Sequence, residues 1–273
     1  MLNIIVCGAL GRMGKEITLK ICQAKGMKLI GAIEARHHPS LGKEIEKGIK
    51  VIPDLEKAIR PDAVIIDFTT PQATLEHLEI AKSKRVSMVI GTTGFKGEQY
   101  EKIKEASRSI PLVLSPNMSV GINLFYKIVE ETARVLGEDF DAEIIEIHHR
   151  NKADAPSGTA KKFAQIIART KEADLTKVGV YGRKGAREIR SRDEIGIHAV
   201  RGGSVIGDHM VLFAGPGERL EIIHRAESRA IFARGAILAA NFIVDKEKGL
   251  YDLQDVLGLK KEDYEDRESE KAN

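Results

Sequence analysis

Five short apolar runs, at 2–6, 28–33, 63–68, 86–90 and 111–114, constrain this chain more than anything else in it. Each is rich in Val and Ile, nearly unbroken and too short for a helix. Strands buried on both faces of a parallel sheet look like this. Between the runs, residues 11–25, 54–60, 71–84 and 97–108 carry helical patterns. Pro71, preceded by Thr69 and Thr70, suits a first helical turn with a capping hydroxyl before it. Strand and helix in alternation predict a Rossmann-like, doubly wound parallel α/β sheet over residues 1–118.

The pattern changes after residue 118. A helix is expected over 119–136, with Ile122, Phe125, Ile128, Val129, Thr132 and Val135 at helical spacing. A strand follows, ending in His148-His149, then a helix opening at Ser157 and a polar stretch over 179–194. Two apolar runs, 210–214 and 220–223, flank Gly215-Pro216-Gly217-Glu218 and predict an antiparallel hairpin. Residues 119–228 are therefore expected to form a smaller α+β domain with a mostly antiparallel sheet. The helix that follows returns to the first domain, which the segment at about 229–259 completes. Residues 260–273 are read as a charged tail that frays.

Composition narrows the class of function. Of 273 residues, 42% are hydrophobic and 30% charged, as in an ordinary folded protein. Lys and Arg number 43 against 40 Asp and Glu, a net charge of only +3, and no basic run forms the stripe that nucleic acid needs. No apolar stretch approaches a membrane span, and the first residues lead straight into a strand without a basic leader. The expected protein is cytoplasmic, with neither a membrane nor a nucleic-acid partner. Cys7 and Cys22 are too few for a disulfide framework.

The first strand runs into Gly8, Gly11 and Gly14, and a helix pattern follows. Glycines allow a tight turn and close approach of backbone to a pyrophosphate, whose charge the helix N-terminus favours. The spacing G-x-x-G-x-x-G departs from the usual G-x-G-x-x-G, so the motif alone also fits a structural turn. Glu34 favours dinucleotide binding: it closes the second strand, 20 residues past Gly14, where such folds place an acid on the ribose hydroxyls. Arg12 and Arg36 offer partners to a 2′-phosphate, so NADH and NADPH both stay open. Gly91-Thr92-Thr93-Gly94 and Ser115-Pro116-Asn117-Met118 follow the fourth and fifth strands, at the edge where open α/β sheets bind ligands. Ordinary turn chemistry is the alternative for both.

Residues 146–160, E-I-H-H-R-N-K-A-D-A-P-S-G-T-A, hold the densest chemistry. A histidine here suits general acid–base work, and Lys152 suits proton donation or an anion. Ser157, Gly158 and Thr159 open a helix and so offer a hydroxyl and backbone amides to a carboxylate. A packed or surface histidine, a plain N-cap and a solvated basic face are the competing readings. A metal site drawn from His148, His149, Asp154, His198 and His209 lacks any recognised ligand spacing, and none is expected.

Taken together, these segments resemble the 4-hydroxy-tetrahydrodipicolinate reductase (dihydrodipicolinate reductase) family over about residues 3–259. The resemblance rests on G-x-x-G-R-M-G at 8–14, D-F-T-x-P at 67–71, G-T-T-G-F at 91–95 and S-P-N-M-S-V-G-I-N at 115–123. Its most specific part is E-I-I-E-I-H-H-R-N-K-A-D-A-P-S-G-T-A at 143–160. It implies NADH- or NADPH-dependent reduction of a cyclic imine dicarboxylate in the diaminopimelate route to lysine. It further implies that Gly8, Ala9, Leu10, Gly11, Arg12 and Met13 hold the pyrophosphate side of the cofactor and Glu34 its ribose. Gly91, Thr92, Thr93, Ser115, Pro116, Asn117 and Met118 would line the nicotinamide side. His148 would be the proton donor and acceptor, Lys152 a proton donor, and His149, Gly158 and Thr159 the ligands of substrate carboxylate. A homotetramer built on the second domain's sheet is implied too. The family often has Arg directly after the ribose acid; here Ala35 stands there, which tilts the cofactor towards NADH.

Two other classes remain open on residues alone. Dehydrogenases with a cysteine nucleophile do not fit, because residues 119–273 contain no Cys. A homoserine dehydrogenase needs no such residue, and a non-catalytic dinucleotide sensor would not need the His148–Lys152 pairing.

Overall fold

The computed structural model describes residues 1–185 and 189–260. The charged tail from residue 261, and 186–188 within the polar stretch, lie outside the described residues. The chain divides into two compact units. One is 1–120 with the chain from Arg229 onward, and the other is 121–228.

The first unit is built as β1 (Leu2–Cys7), α1 (Arg12–Gln23), β2 (Met27–Ile33), β3 (Glu44–Glu46), β4 (Ile49–Ile52), α2 (Leu55–Ala58), β5 (Ala63–Asp67), α3 (Pro71–Lys84), β6 (Ser87–Ile90), α4 (Gly97–Ala106) and β7 (Pro111–Leu114). Its sheet has the order β13-β7-β6-β5-β1-β2-β4-β3, where β13 is Gly249–Tyr251. Every pairing is parallel except β3 with β4. The strands β1 and β5 are buried along almost their whole length, which is why their sequences do not alternate. Ile4, Val6, Val64 and Ile66 point into one core, and Ile5, Cys7, Ile65 and Met88 into the other. On the first face α1 packs with α8 (Ala230–Ile243) and α9 (Leu253–Val256); on the second lie α2, α3 and α4. Pro71 opens α3, and Thr70 Oγ1 accepts from Ala73 N at 3.4 Å. Three strands escape the sequence pattern, β3, β4 and β13. Each has three or four residues, too few to show a period.

The second unit holds most of α5 (Val120–Leu136), then β8 (Asp141–His148), α6 (Gly158–Thr170), α7 (Leu175–Val178), β9 (Gly179–Tyr181), β10 (Ile195–Arg201), β11 (Asp208–Gly215) and β12 (Glu218–Arg225). Its sheet, β12-β11-β8-β10-β9, is mixed rather than mostly antiparallel. The two pairings of β11 are antiparallel, but β10 runs parallel to both β8 and β9. The chain leaves β8 through α6 and α7, and a helical crossover of that kind returns a strand in the same direction. One face of this sheet packs on α5 and α6 around Phe125, Phe163, Ile167, Val211 and Phe213. Strand β8 therefore alternates strictly, and its buried row runs Ala142, Ile144, Glu146, His148. The first two members are apolar. The last two carry the row out of the core as chemistry.

Candidate active site

In the first unit the glycine turn is held by contact rather than by habit. Gly8 has φ +77°, and a Cβ there would sit 2.6 Å from Phe68 O. A Cβ on Gly14 would collide with Gly8 O and the Ala9 backbone, so α1 can cross the turn only with glycine at that point. The turn uses up most of its own amides. Gly8 N and Ala9 N donate to Ile33 O, Leu10 N to Glu34 Oε1 at 2.8 Å, and Gly11 N to Gly8 O. Helix α1 then begins at Arg12 with no side-chain cap and no acid in its first turn. The groups left to meet an anion are the first amides of the helix, at Arg12 and Met13. Ala9 and Met118, both expected at the site, are buried core residues; only their backbones can serve a ligand. Met118 is further tied by its carbonyl, which lies where a side chain on Gly235 of α8 would otherwise be.

Beside this turn lies a cavity of about 510 Å³, lined among others by Gly8, Glu34, Arg36, Phe68, Thr69 and His77. Its size and mixed lining suit a nucleoside. Phe68 lies against Gly91, where any side chain would meet its ring. Asp67, fully buried at the end of β5, knits these parts together. Its Oδ1 accepts from Thr69 N and from the hydroxyls of Thr69, Thr74 and Thr92, and its Oδ2 is 2.6 Å from His77 Nδ1. Thr92 Oγ1 also accepts from Thr69 N at 2.9 Å. The D-F-T and G-T-T segments are thus one hydrogen-bonded structure. Cys7, Asp67 and His77 place possible metal ligands within 4.8 Å of one another. The carboxylate is already satisfied by protein donors, and burial holds the Cys7 thiol well above its ordinary pKa, so the trio lacks the chemistry of a metal centre. In the third segment, Ser115 Oγ donates to Asn117 O, and Asn117 Oδ1 accepts from Ser119 N. Pro116 and Thr93 are exposed.

In the second unit the strand ends converge on His148. Its Nδ1 is 2.5 Å from Glu146 Oε2, and both side chains belong to the buried row of β8. Arg201, paired with His148 across the β8–β10 register, gives Glu146 a two-pronged contact of 2.7 and 2.8 Å. Ser157 N donates to Glu146 Oε1 at 3.0 Å. Burial alone would raise the Glu146 carboxyl, but the donors His148, Arg201 and Ser157 outweigh it and hold the pKa at about 2. His209, opposite Glu146 in β11, meets the His148 ring edge-on at 5.2 Å. Burial and the neighbouring His148 push the pKa of His209 down to about 3, so at neutral pH it is an uncharged wall. Its Nε2 lies 3.2 Å from Ser157 Oγ, which also caps α6 by accepting from Ala160 N.

Lys152 pairs with Asp154 at 2.7 Å, and Arg201 Nη2 donates to Asp154 O. The loop carrying the lysine is thereby anchored to the same arginine as Glu146. His149 is half-buried just beyond β8, and Gly158 and Thr159 stand at the start of α6. His198 is not part of this group. It pairs with Glu143, whose carboxyl is held at about 2 despite burial by Arg183, His198 and Arg190. Sequence reasoning missed Glu146 and Arg201 and weighed His209 only as a metal ligand. The first was open to it, because residues 146 and 148 of one strand share a face.

Comparison with known proteins divides the chain at the same point near residue 120, with the second part running on through the segment that returns to the first unit. The family model described as dihydrodipicolinate reductase, N-terminus, matches residues 2–118, and that for the C-terminus matches residues 121–257. A 4-hydroxy-tetrahydrodipicolinate reductase of Syntrophus aciditrophicus is 47% identical over 267 residues, covering 95% of this chain and 100% of the relative. One from Geotalea daltonii is 46% identical with the same coverage. Among solved structures, a dipicolinate-bound dihydrodipicolinate reductase from Paenisporosarcina sp. TG-14 is similar with a TM-score of 0.75. Its identity is 28%, over 92% of this chain and 97% of that one.

Proposed function

This chain belongs to the dihydrodipicolinate reductase family, and from that premise we propose how its residues divide the work of the reaction. It is an NAD(P)H-dependent oxidoreductase of the diaminopimelate route to lysine, acting on a cyclic dicarboxylate. When bound, the reduced nicotinamide supplies a hydride to the unsaturated substrate ring. The glycine turn suits a dinucleotide: the close packing that only glycine permits at Gly8 and Gly14 sets the uncapped start of α1 beside the cavity that Gly8 and Gly11 line. The amides of Arg12 and Met13 take the pyrophosphate. Glu34 keeps lone pairs for the ribose hydroxyls while holding Leu10 N. Gly91 to Thr93 and Ser115 to Met118 shape the nicotinamide side through backbone and hydroxyl groups.

His148 supplies the proton that the reduced substrate needs. The single observation that carries this reading is the Glu146–His148 pair: a carboxylate held ionised on Nδ1 leaves Nε2 as the nitrogen that exchanges its proton. An added side chain on Gly207 would come within 3.0 Å of that Nε2, so glycine keeps the approach open. Lys152, drawn from Asp154, is the second donor. His149, Gly158 and Thr159 receive the carboxylates at the start of α6, where a helix N-terminus and a positive local field favour dianions. The protein works in the cytoplasm as a homotetramer. The support is the second unit's sheet, whose face away from its core carries Ile223 and Val200 exposed.

His148→Gln tests the assignment, with substrate generated from aspartate semialdehyde and pyruvate by the upstream synthase. Turnover should fall about 10²-fold or more while the NADH dissociation constant stays put. Undiminished turnover would remove His148 from its role.

A further inference from the structure

We propose that Glu146, clamped by Arg201, is the positioning residue of the substrate site, setting both the proton-bearing face of His148 and the seat of the α6 N-terminus. The inference rests on His148 being the proton donor and goes further, to what makes it one. Glu146 is fully buried and touches no solvent, yet it lies in the inward row of a strand whose earlier members are Ala142 and Ile144. A carboxylate in that place is costly unless every lone pair is used. Four donors use them: His148 Nδ1, Arg201 Nη1 and Nη2, and Ser157 N.

The arrangement has a geometric purpose that packing alone does not explain. Donation by Nδ1 fixes the ring plane of His148 and selects the tautomer whose exchangeable site is Nε2. The same carboxylate, through Ser157 N, sets where α6 begins, and hence where Gly158 and Thr159 stand. Arg201 carries the register one step further by donating to Asp154 O at 2.6 Å, beside the Lys152–Asp154 pair. One buried anion therefore spaces the proton donor, the carboxylate seat and the lysine loop from a common origin. In the proton step Nε2 releases its proton to the substrate atom that receives the π electron pair displaced when hydride adds to the other atom of the double bond. Nδ1 keeps its own proton throughout, shared with Glu146.

The groups beside His148 are Glu146 from β8, His209 from β11 and, paired with it in register, Arg201 from β10. Glu146 is the anion in direct contact. Replacing it by an amide of equal size removes the acceptor charge on Nδ1 and leaves at least two donors unpaired.

The test compares Glu146→Gln and His148→Gln with the unaltered full-length enzyme. In the unaltered enzyme, long-range ¹H–¹⁵N correlation should show neutral His148 protonated at Nδ1. Its signals are identified by their loss in His148→Gln. Glu146→Gln should lower kcat about 10²-fold and leave the NADH dissociation constant unchanged. A neutral His148 protonated at Nε2, or wild-type turnover in Glu146→Gln, would overturn the inference. If His148→Gln loses turnover while Glu146→Gln keeps it, only the positioning role falls. Should His148→Gln itself keep turnover, the proton-donor reading falls and takes this one with it. The spectrum of the unaltered enzyme decides the matter even if Glu146→Gln does not fold.

Discussion

Glu34 shows how much a single side chain carries at the dinucleotide turn. It was expected as a ribose ligand, and it also pins the turn, with Oε1 on Leu10 N and Oε2 on Ala35 N. Removing it costs twice. Glu34→Ala should weaken NADH binding about tenfold, or about 1.4 kcal/mol, in an equilibrium titration. Equal constants would exclude the ribose role. Gly14 acts purely through space. Gly14→Ala must push α1 off the turn, and a urea titration should show a loss of about 2 kcal/mol or more. Asp67 is the opposite case, a buried acid that works through number of partners and binds the loop after β5, helix α3 and the loop after β6 through the hydroxyls of Thr69, Thr74 and Thr92.

At the scale of the element, helix starts do much of the positioning. Thr70 caps α3 and Asp252 caps α9 by standard side-chain bonds. Ser157 is a cap with a second duty, because its amide binds Glu146 and its hydroxyl meets His209. Ser157→Ala should cost about 1 kcal/mol of stability in urea, as for an ordinary cap. It should also raise the substrate KM without changing NADH affinity, which an ordinary cap would not do. The contrast lies in α1, where no side chain occupies the N-terminus.

At the scale of the whole molecule, each unit closes its own core, but only the second does so with an unbroken segment. Its core is drawn from residues 122–213, whereas the first unit needs Ala233, Ala236, Ala239, Ala240 and Ile243 of α8. Residues 121–228 expressed alone should therefore unfold cooperatively by near-UV circular dichroism and urea, and residues 1–120 alone should not. The acid limb of stability also belongs here. The pKa of His209, lowered to about 3 from 6.5, makes folding lose stability as pH falls below about 6.5, by up to about 1.4 kcal/mol per pH unit. Glu143 and Glu146, lowered to about 2 from 4.5, add to the loss only below about 4.5 and down to about 2. Urea midpoints should fall in two stages, and His209→Asn should flatten the first. A single stage beginning below pH 4.5 would contradict the assignment for His209.

The parallel sheet was legible in the sequence because strands buried on both faces cannot alternate. Val and Ile must fill them, and so β1, β2, β5, β6 and β7 stand out while the three-residue β13 does not. The glycine turn, Glu34 and the His148–Lys152 segment were legible for a related reason, since their chemistry is local and its spacing survives along the chain. Their partners were not. Arg201 and His209 lie 55 and 63 residues from Glu146, and only the pairing of β10 and β11 with β8 brings them to it. The mixed order of the second sheet is likewise a matter of which strand ends meet, which no local pattern encodes. By itself the sequence determined the class of fold, the glycine turn and the histidine proposed here as the proton donor. Only the tertiary structure decided what holds that residue, because a buried charge is stable solely where distant strands bring its donors together.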